Sequence, residues 1–286
     1  MEQEIIVLGG GPAGLSAAVA ARSRNKSVLV ISNPGQDSPL ARAERIDNYL
    51  GLPGLTGLEL LKAMEQHADE MGARRMTGRV NAVMAWNGTF ALTVGSNVFQ
   101  CGALVLAPGV VRAAKYPGEG KLLGRGVSYC ATCDGMLYRG RRVMVVGRTK
   151  DAPGEANFLH SIGCQVTYVS MERPEELKQD IDHLSGSRLE VVGEDRVTAL
   201  RVAGVDHPCD GVFILRQAVA PGDLLPGLAI EDGFITVDRN MATNLEGVFA
   251  AGDCTGQPWQ VAKAVGEGLV AGERAAEYLD NKSTNT

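Results

Sequence analysis

Aromatic side chains are scarce in this chain, at 5% of 286 residues, while glycine is abundant at 36. That balance fits an α/β protein with many tight turns around nucleotides better than a β-sandwich. Long apolar runs are absent. None can span a bilayer, and Ile5–Leu8, close behind Met1-Glu2-Gln3-Glu4, is too short for the apolar core of a secretion signal. No membrane association is expected, and a cytosolic location is the default. The net charge of −5 and the lack of any basic run with interleaved aromatics argue against a nucleic-acid surface. Low-complexity sequence is missing too, apart from the polar tail Asn281–Thr286, which is expected to fray.

What is present is an ordinary globular composition, 45% hydrophobic and 21% charged, with length for two domains. Glu4–Gly9 reads as a buried parallel strand, 12–24 as a helix with Pro12 at an early position, and Ser27–Ile31 as a second strand, together one βαβ unit. Thr56–Gly72 predicts an amphipathic helix with Leu58, Leu61, Met64 and Ala68 on its apolar face. Asn87-Gly88 and Gly95-Ser96-Asn97 punctuate three short strands of a β-meander, and Ala103–Ala107 is a further buried strand. A second βαβ pattern runs through Arg142–Gly147, a helix near Asp151–Ile162, and Gln165–Ser170. Gly211–Leu215, Gly233–Val237 and Gly247–Ala251 read as later strands, and Val261–Leu279 as a closing helix.

The first motif is Gly9-Gly10-Gly11-Pro12-Ala13-Gly14, set between a buried strand and a helix as a dinucleotide fingerprint requires. Gly9 permits the tight turn, Gly11 admits a pyrophosphate, and Gly14 lets helix and strand pack closely. The helix N-terminus supplies N–H groups for the phosphates. The acid expected at the end of the second strand is replaced by Ser32-Asn33, which leaves the ribose contact unassigned.

The second motif is Cys130-Ala131-Thr132-Cys133-Asp134-Gly135. In a reducing compartment a close cysteine pair is metal-binding or redox-active. Cys101, Cys164, Cys209 and Cys254 are singletons with no His at ligand spacing, so the other half of a zinc site is missing and the redox reading is preferred. At a helix start the dipole lowers the first thiol's pKa, and Asp134 is placed to carry a proton for a leaving thiolate. Nine basic residues (Arg112, Lys115, Lys121, Arg125, Arg139, Arg141, Arg142, Arg148, Lys150) surround the pair against two acids, Glu119 and Asp134, a local excess of +7. This is either solvated loop charge or a docking surface for an acidic partner.

GGGPAG, Tyr129-Cys130-Ala131-Thr132-Cys133-Asp134-Gly135 and Gly247-Val248-Phe249-Ala250-Ala251-Gly252-Asp253 resemble the low-molecular-weight thioredoxin reductases over nearly the whole chain. The resemblance implies an α/β fold with two Rossmann-like nucleotide-binding domains. The FAD-binding domain is expected over 1–112 and 244–286, and a redox-disulfide domain over 113–243. It implies FAD contacts at Gly11–Gly14, at Asn48, at Gly252-Asp253 beside the ribityl–pyrophosphate region, and at Gln260, Val261 and Ala262 beside the flavin pyrimidine. It makes Cys133 the flavin-proximal sulfur and Cys130 the one that attacks thioredoxin, and it implies a homodimer.

The family's NADPH-binding elements are where the resemblance fails. The second glycine-rich turn reads Gly147-Arg148-Thr149-Lys150-Asp151-Ala152-Pro153, with Thr149 where a glycine lets backbone approach the pyrophosphate. The cationic element that clamps a 2′-phosphate is replaced by Ser170-Met171-Glu172. The chain therefore resembles most the ferredoxin-dependent flavin thioredoxin reductases of anaerobic bacteria, with ferredoxin, FAD, the disulfide and thioredoxin in series. Alternatives are an NADH-linked reductase with Glu172 on the ribose, an O₂-dependent dithiol oxidase, and a non-enzymatic flavin/CxxC redox sensor.

Overall fold

Ile5, Ile6 and Val7 are fully buried, and a strand without a solvent face needs cover on both sides. In a computed structural model of the protein, describing residues 2–33, 38–95, 97–110, 115–216 and 219–284, that cover is built from distant parts of the chain. Two compact units form, Met1–Arg112 with Ala220–Thr286, and Ala113–Val219. Ser96, Arg112 and the last two residues of the polar tail lie outside the described residues.

In the first unit β1 (Glu2–Leu8), α1 (Pro12–Ser23) and β2 (Val28–Ser32) make the expected βαβ, with Ile5 opposite Val28 and Leu8 opposite Ile31. Helix α2 (Gly57–Glu70) starts at a capping box: Thr56 Oγ1 accepts from the Glu59 N–H at 3.2 Å, and the Glu59 carboxylate accepts from the Thr56 N–H at 2.8 Å. Its buried face differs from expectation. Leu58 is 39% exposed and Leu60 is buried in its stead. Gly57 lies against the Leu40 carbonyl, where a β-carbon would fall 1.7 Å from the oxygen, and this seating turns Leu58 outward. Strands β3 (Arg74–Thr77), β4 (Val80–Trp86), β5 (Thr89–Val94) and β6 (Asn97–Leu106) complete the first pass. The order β3-β2-β1-β6 is parallel and β4-β5-β6 is the antiparallel meander, turned at Asn87-Gly88 with both φ positive.

The second unit runs through α3 (Glu119–Leu122), β7 (Val127–Ser128), α4 (Ala131–Asp134), β8 (Arg142–Gly147), α5 (Ala152–Ser161), β9 (Gln165–Ser170), β10 (Asp182–Ser185), β11 (Leu189–Gly193), β12 (Val197–Val202), β13 (Val205–Pro208) and β14 (Gly211–Leu215). Five strands form an all-parallel sheet in the order β10-β9-β8-β14-β7, and β11-β12-β13 form an antiparallel one. From β8 the chain moves outward to β9 and β10, then returns on the other side as β14. The carboxyl ends of β8 and β14 thus flank a topological switch point, where open α/β sheets bind ligands.

The chain rejoins the first unit at Ala220, earlier than the expected 244. Leu225, Leu228 and Ile235 are buried in one cluster with Ile6, Leu92 and Leu104, so their burial draws the segment back. There α6 (Pro221–Leu224), β15 (Ile230–Glu231) and β16 (Phe234–Ile235) precede β17 (Val248–Ala250), which pairs parallel with β6, and α7 (Val261–Thr284). Helix α7 continues to Thr284 where fraying was expected from Asn281. Asp280 pairs with Lys26 at 2.7 Å and with Arg24 at 3.8 Å, and Lys282 donates to the Gly88 carbonyl, so the last turn is tied to two loops.

Candidate active site

The turn between β1 and α1 makes three separate demands. Gly9 has φ +121°, and a β-carbon on it would lie 2.0 Å from the Ala107 carbonyl oxygen. One on Gly14 would lie 1.9 Å from the Gly9 oxygen. One on Gly11, the N-cap of α1, would meet nothing within 4 Å. The fold thus needs glycine at Gly9 and Gly14 and leaves open space beside Gly11, at the positive end of α1 behind Pro12 and the buried Ala13. Gly252, at φ +89°, abuts the same helix start, since a β-carbon there would lie 2.8 Å from that of Ala13.

Asp253 follows Gly252, and loss of water pushes its carboxyl above the ordinary range, with Glu267 adding to the rise and Lys263 opposing it. These two α7 residues were not singled out in the sequence. Lys263 Nζ donates to the carbonyls of Gly252 and Gly256, both at 2.9 Å, and lies 3.1 Å from Thr255 Oγ1 and 3.0 Å from Glu267 Oε2. Glu267 Oε2 accepts from the Gly252 N–H and the Thr255 hydroxyl, each at 2.8 Å. An i,i+4 Lys–Glu pair reads as a surface ornament in sequence; here a backbone loop is folded over it. Asn48 Nδ2 donates to Gln260 Oε1 at 2.7 Å, bringing together two residues that lie 212 positions apart. Val261 and Ala262 open α7 directly behind them. A space left at a helix N-terminus, a glycine at position 11 that packing does not require, and a half-buried acid in the neighbouring loop fit a dinucleotide cofactor.

In the second unit Cys130 and Cys133 form a disulfide across the start of α4. Cys130 is 3% exposed, whereas Cys133 is exposed, so with the disulfide closed the sulfur expected to attack thioredoxin is the covered one of the two. Cys130 Sγ accepts from the Cys133 N–H at 3.1 Å and lies 3.4 Å from Thr132 Oγ1. Asp134 closes α4, its N–H bonded to the Cys130 carbonyl at 3.3 Å. Beyond it Met136 and Leu137 are 59% and 72% exposed. Cys101, Cys164, Cys209 and Cys254 are buried and free, and burial pushes the thiols of Cys101, Cys209 and Cys254 up to about 12.

At the switch point of this unit two arginines gather on a tyrosine. Arg148 follows β8 and Arg216 follows β14; both guanidiniums lie over the Tyr116 ring, at 5.9 and 5.3 Å from its centroid. Arg148 Nε donates to Tyr116 Oη at 2.9 Å. Gly147 is retained, but for packing: a β-carbon there would lie 1.7 Å from the Tyr168 hydroxyl. Thr149 Oγ1 is buried with no hydrogen-bond partner among the described residues. Glu172 is exposed, and both Nη groups of its neighbour Arg173 donate to carbonyls, of Ile181 at 2.9 Å and Lys178 at 2.7 Å.

Residues 3–268 match the family described as pyridine nucleotide-disulphide oxidoreductase. The chain belongs to that family. A ferredoxin-flavin thioredoxin reductase from Clostridium acetobutylicum is 40% identical, with a TM-score of 0.87 over 98% of this chain and 99% of that one. A thioredoxin reductase from Listeria monocytogenes is 32% identical over 97% of this chain and 94% of its own length. A Pseudomonas fluorescens relative, named a glucosaminate ammonia-lyase, is 34% identical over 96% and 95%. Identity at this level therefore leaves the activity open, and the Cys130–Cys133 disulfide narrows it. The chain is a disulfide reductase of the thioredoxin reductase type, and its cofactor is FAD. Among the described residues no helix is long and apolar enough to cross a membrane.

Proposed function

We propose that this family member reduces thioredoxin with electrons taken from reduced ferredoxin rather than from NADPH. The observation that supports the donor is the missing recognition chemistry at the switch point, where Thr149 stands in place of the close-approach glycine and exposed Glu172 in place of a cationic clamp, with Tyr116, Arg148 and Arg216 engaged with one another beside them. Losing one charge-assisted phosphate contact costs about 1.5–3 kcal/mol. Several such losses weaken NADPH binding roughly a thousandfold, since ~1.4 kcal/mol is tenfold.

Gly11, Pro12, Ala13 and Gly14 would receive the FAD pyrophosphate, Gly252 and Asp253 the ribityl side, and Asn48, Gln260, Val261 and Ala262 the pyrimidine end. The reduced cofactor, when bound, supplies the electron pair that with two protons opens Cys130–Cys133 to a dithiol. Cys130 as thiolate then attacks one sulfur of the thioredoxin disulfide, forming a mixed disulfide and releasing the other sulfur, to which Asp134 passes a proton. Cys133 attacks Cys130 Sγ, which frees reduced thioredoxin and restores the internal disulfide. Met136 and Leu137, exposed beside the pair, offer an apolar landing for the partner.

Lys115, Lys121, Arg125, Arg139, Arg141, Arg142, Arg148 and Lys150 are all exposed, while Glu119 is buried and paired with Arg216. The positive excess thus faces solvent, a surface suited to an acidic electron carrier. The test is flavin bleaching under nitrogen. Reduced ferredoxin should bleach the flavin quickly, and NADPH or NADH at about millimolar concentration, where a Kd of 1 mM corresponds to only about −4.1 kcal/mol, should barely do so. Fast bleaching by NADPH returns the protein to the NADPH-linked reductases.

A further inference from the structure

The switch-point network has a second end. Glu119 is fully buried, and each of its oxygens is occupied. Oε2 accepts from Arg216 Nη2 at 2.7 Å and from the Tyr116 N–H at 2.8 Å. Oε1 accepts from the hydroxyl of Tyr129 at 2.7 Å, and Tyr129 immediately precedes Cys130. The Arg216 guanidinium also lies over the Tyr129 ring, 5.9 Å from its centroid. The strand leading into the disulfide, β7, is only two residues long and pairs with β14 through Val127 and Ser128 alone. Cys130 is held from behind by Ser128, whose hydroxyl accepts from the Cys130 N–H at 3.1 Å and donates to its carbonyl at 3.2 Å.

We infer that Glu119 is a positioning residue for the redox disulfide, acting through Tyr129, and that the Tyr116–Arg216 cluster beside the switch point serves as its anchor. A charge-assisted hydroxyl–carboxylate bond in a dry site is stiff enough to fix the residue before Cys130. Cys130 thereby keeps the extended N-cap conformation, φ −135° and ψ 106°, that aims its sulfur at the Cys133 N–H. Once two electrons and two protons have opened the disulfide to a dithiol, that N–H stabilises the thiolate left when Cys130 releases its proton to solvent, and a stabilised thiolate favours the reduced state. The inference holds whichever donor reduces the flavin.

Tyr129→Phe keeps the ring and its packing and removes only the hydroxyl. Holoprotein equilibrated anaerobically with dithiothreitol redox buffers, which supply the electron pair and protons, reports the disulfide equilibrium directly. The expected result is a three- to tenfold shift toward the disulfide, tenfold being about 30 mV for this two-electron couple. The pH profile of thiol alkylation should move to higher pH, while FAD content and the flavin spectrum stay at wild-type values. Glu119→Gln should shift both readouts the same way, and the double variant should be no worse than the larger single effect. An unchanged equilibrium and profile in Tyr129→Phe, with or without a lower Tm, overturns the inference, and so does additivity in the double variant. Should Glu119→Gln fail to fold, Tyr129→Phe decides alone.

Discussion

A β-carbon at Gly11 meets no protein atom, whereas one at Gly9 or Gly14 lands about 2 Å from a carbonyl oxygen. Three glycines of one motif should therefore fail in different ways. Gly11→Val is expected to fold, with the Tm of FAD-stripped wild type, and to purify without yellow colour. Gly14→Ala should lower the apo-protein's Tm itself, because overpacking against backbone costs typically 1–3 kcal/mol. A yellow, stoichiometrically loaded Gly11→Val protein would refute the placement of the cofactor. The two sulfurs divide similarly. Cys130→Ser should lose thioredoxin reduction while Cys133 forms a charge-transfer thiolate with oxidised flavin. Cys133→Ser should trap thioredoxin as a mixed disulfide on gels run without reductant. Equal trapping by both variants removes that division of labour.

Among the elements, α7 does more than close the chain. Its first turns hold the loop 252–256 through Lys263 and Glu267, and the loop presents Asp253. Lys263→Met removes several charge-assisted bonds, each worth about 1.5–3 kcal/mol, and should weaken FAD binding at least about tenfold in fluorescence titrations of apo-protein. Unchanged FAD affinity would deny the loop its role. At the other end of α7, the Lys26 ammonium holds the Asp280 carboxyl below its ordinary 3.8. A depressed acid contributes stability that is complete above its unfolded value and lost as pH falls through the folded one. Exchange of the last-turn amides should therefore quicken below pH 3.8 and be insensitive to pH above it, after correction for intrinsic rates. The elements themselves were readable where period and punctuation agree: β8, β9 and β14 fall on the expected residues, and α5 within one residue of its expected ends. Leu58 was misplaced because the helix phase is set by Gly57 against Leu40, a contact outside the helix. Lys263–Glu267 and Glu119–Arg216 were missed for a related reason. The first depends on a loop folding back, the second on residues 97 positions apart, and neither leaves a local pattern.

At the scale of the whole molecule, the proposed docking of an acidic carrier on the exposed arginines and lysines that neighbour the disulfide in sequence would be a long-range effect. The ferredoxin-driven bleaching rate should fall by about tenfold or more between about 20 mM and 500 mM salt, as the screening length shrinks below the size of the patch. A rate indifferent to salt would spare the donor and remove the docking surface. The buried thiols have a consequence of their own. Cys101, Cys209 and Cys254 hold their protons until about pH 12, and Cys164, equally sealed, is also pushed up by burial. Oxidants and alkylating agents react with thiolates. Peroxide arriving from solvent will therefore find reactive cysteine at one address only, where a sulfenic acid formed on one thiol condenses with the other, losing water, to regenerate the disulfide. Oxidation at that address ends in the disulfide that turnover itself produces, so the cysteines resist overoxidation without a scavenger, while exposed Met84, Met136 and Met171 remain open to it.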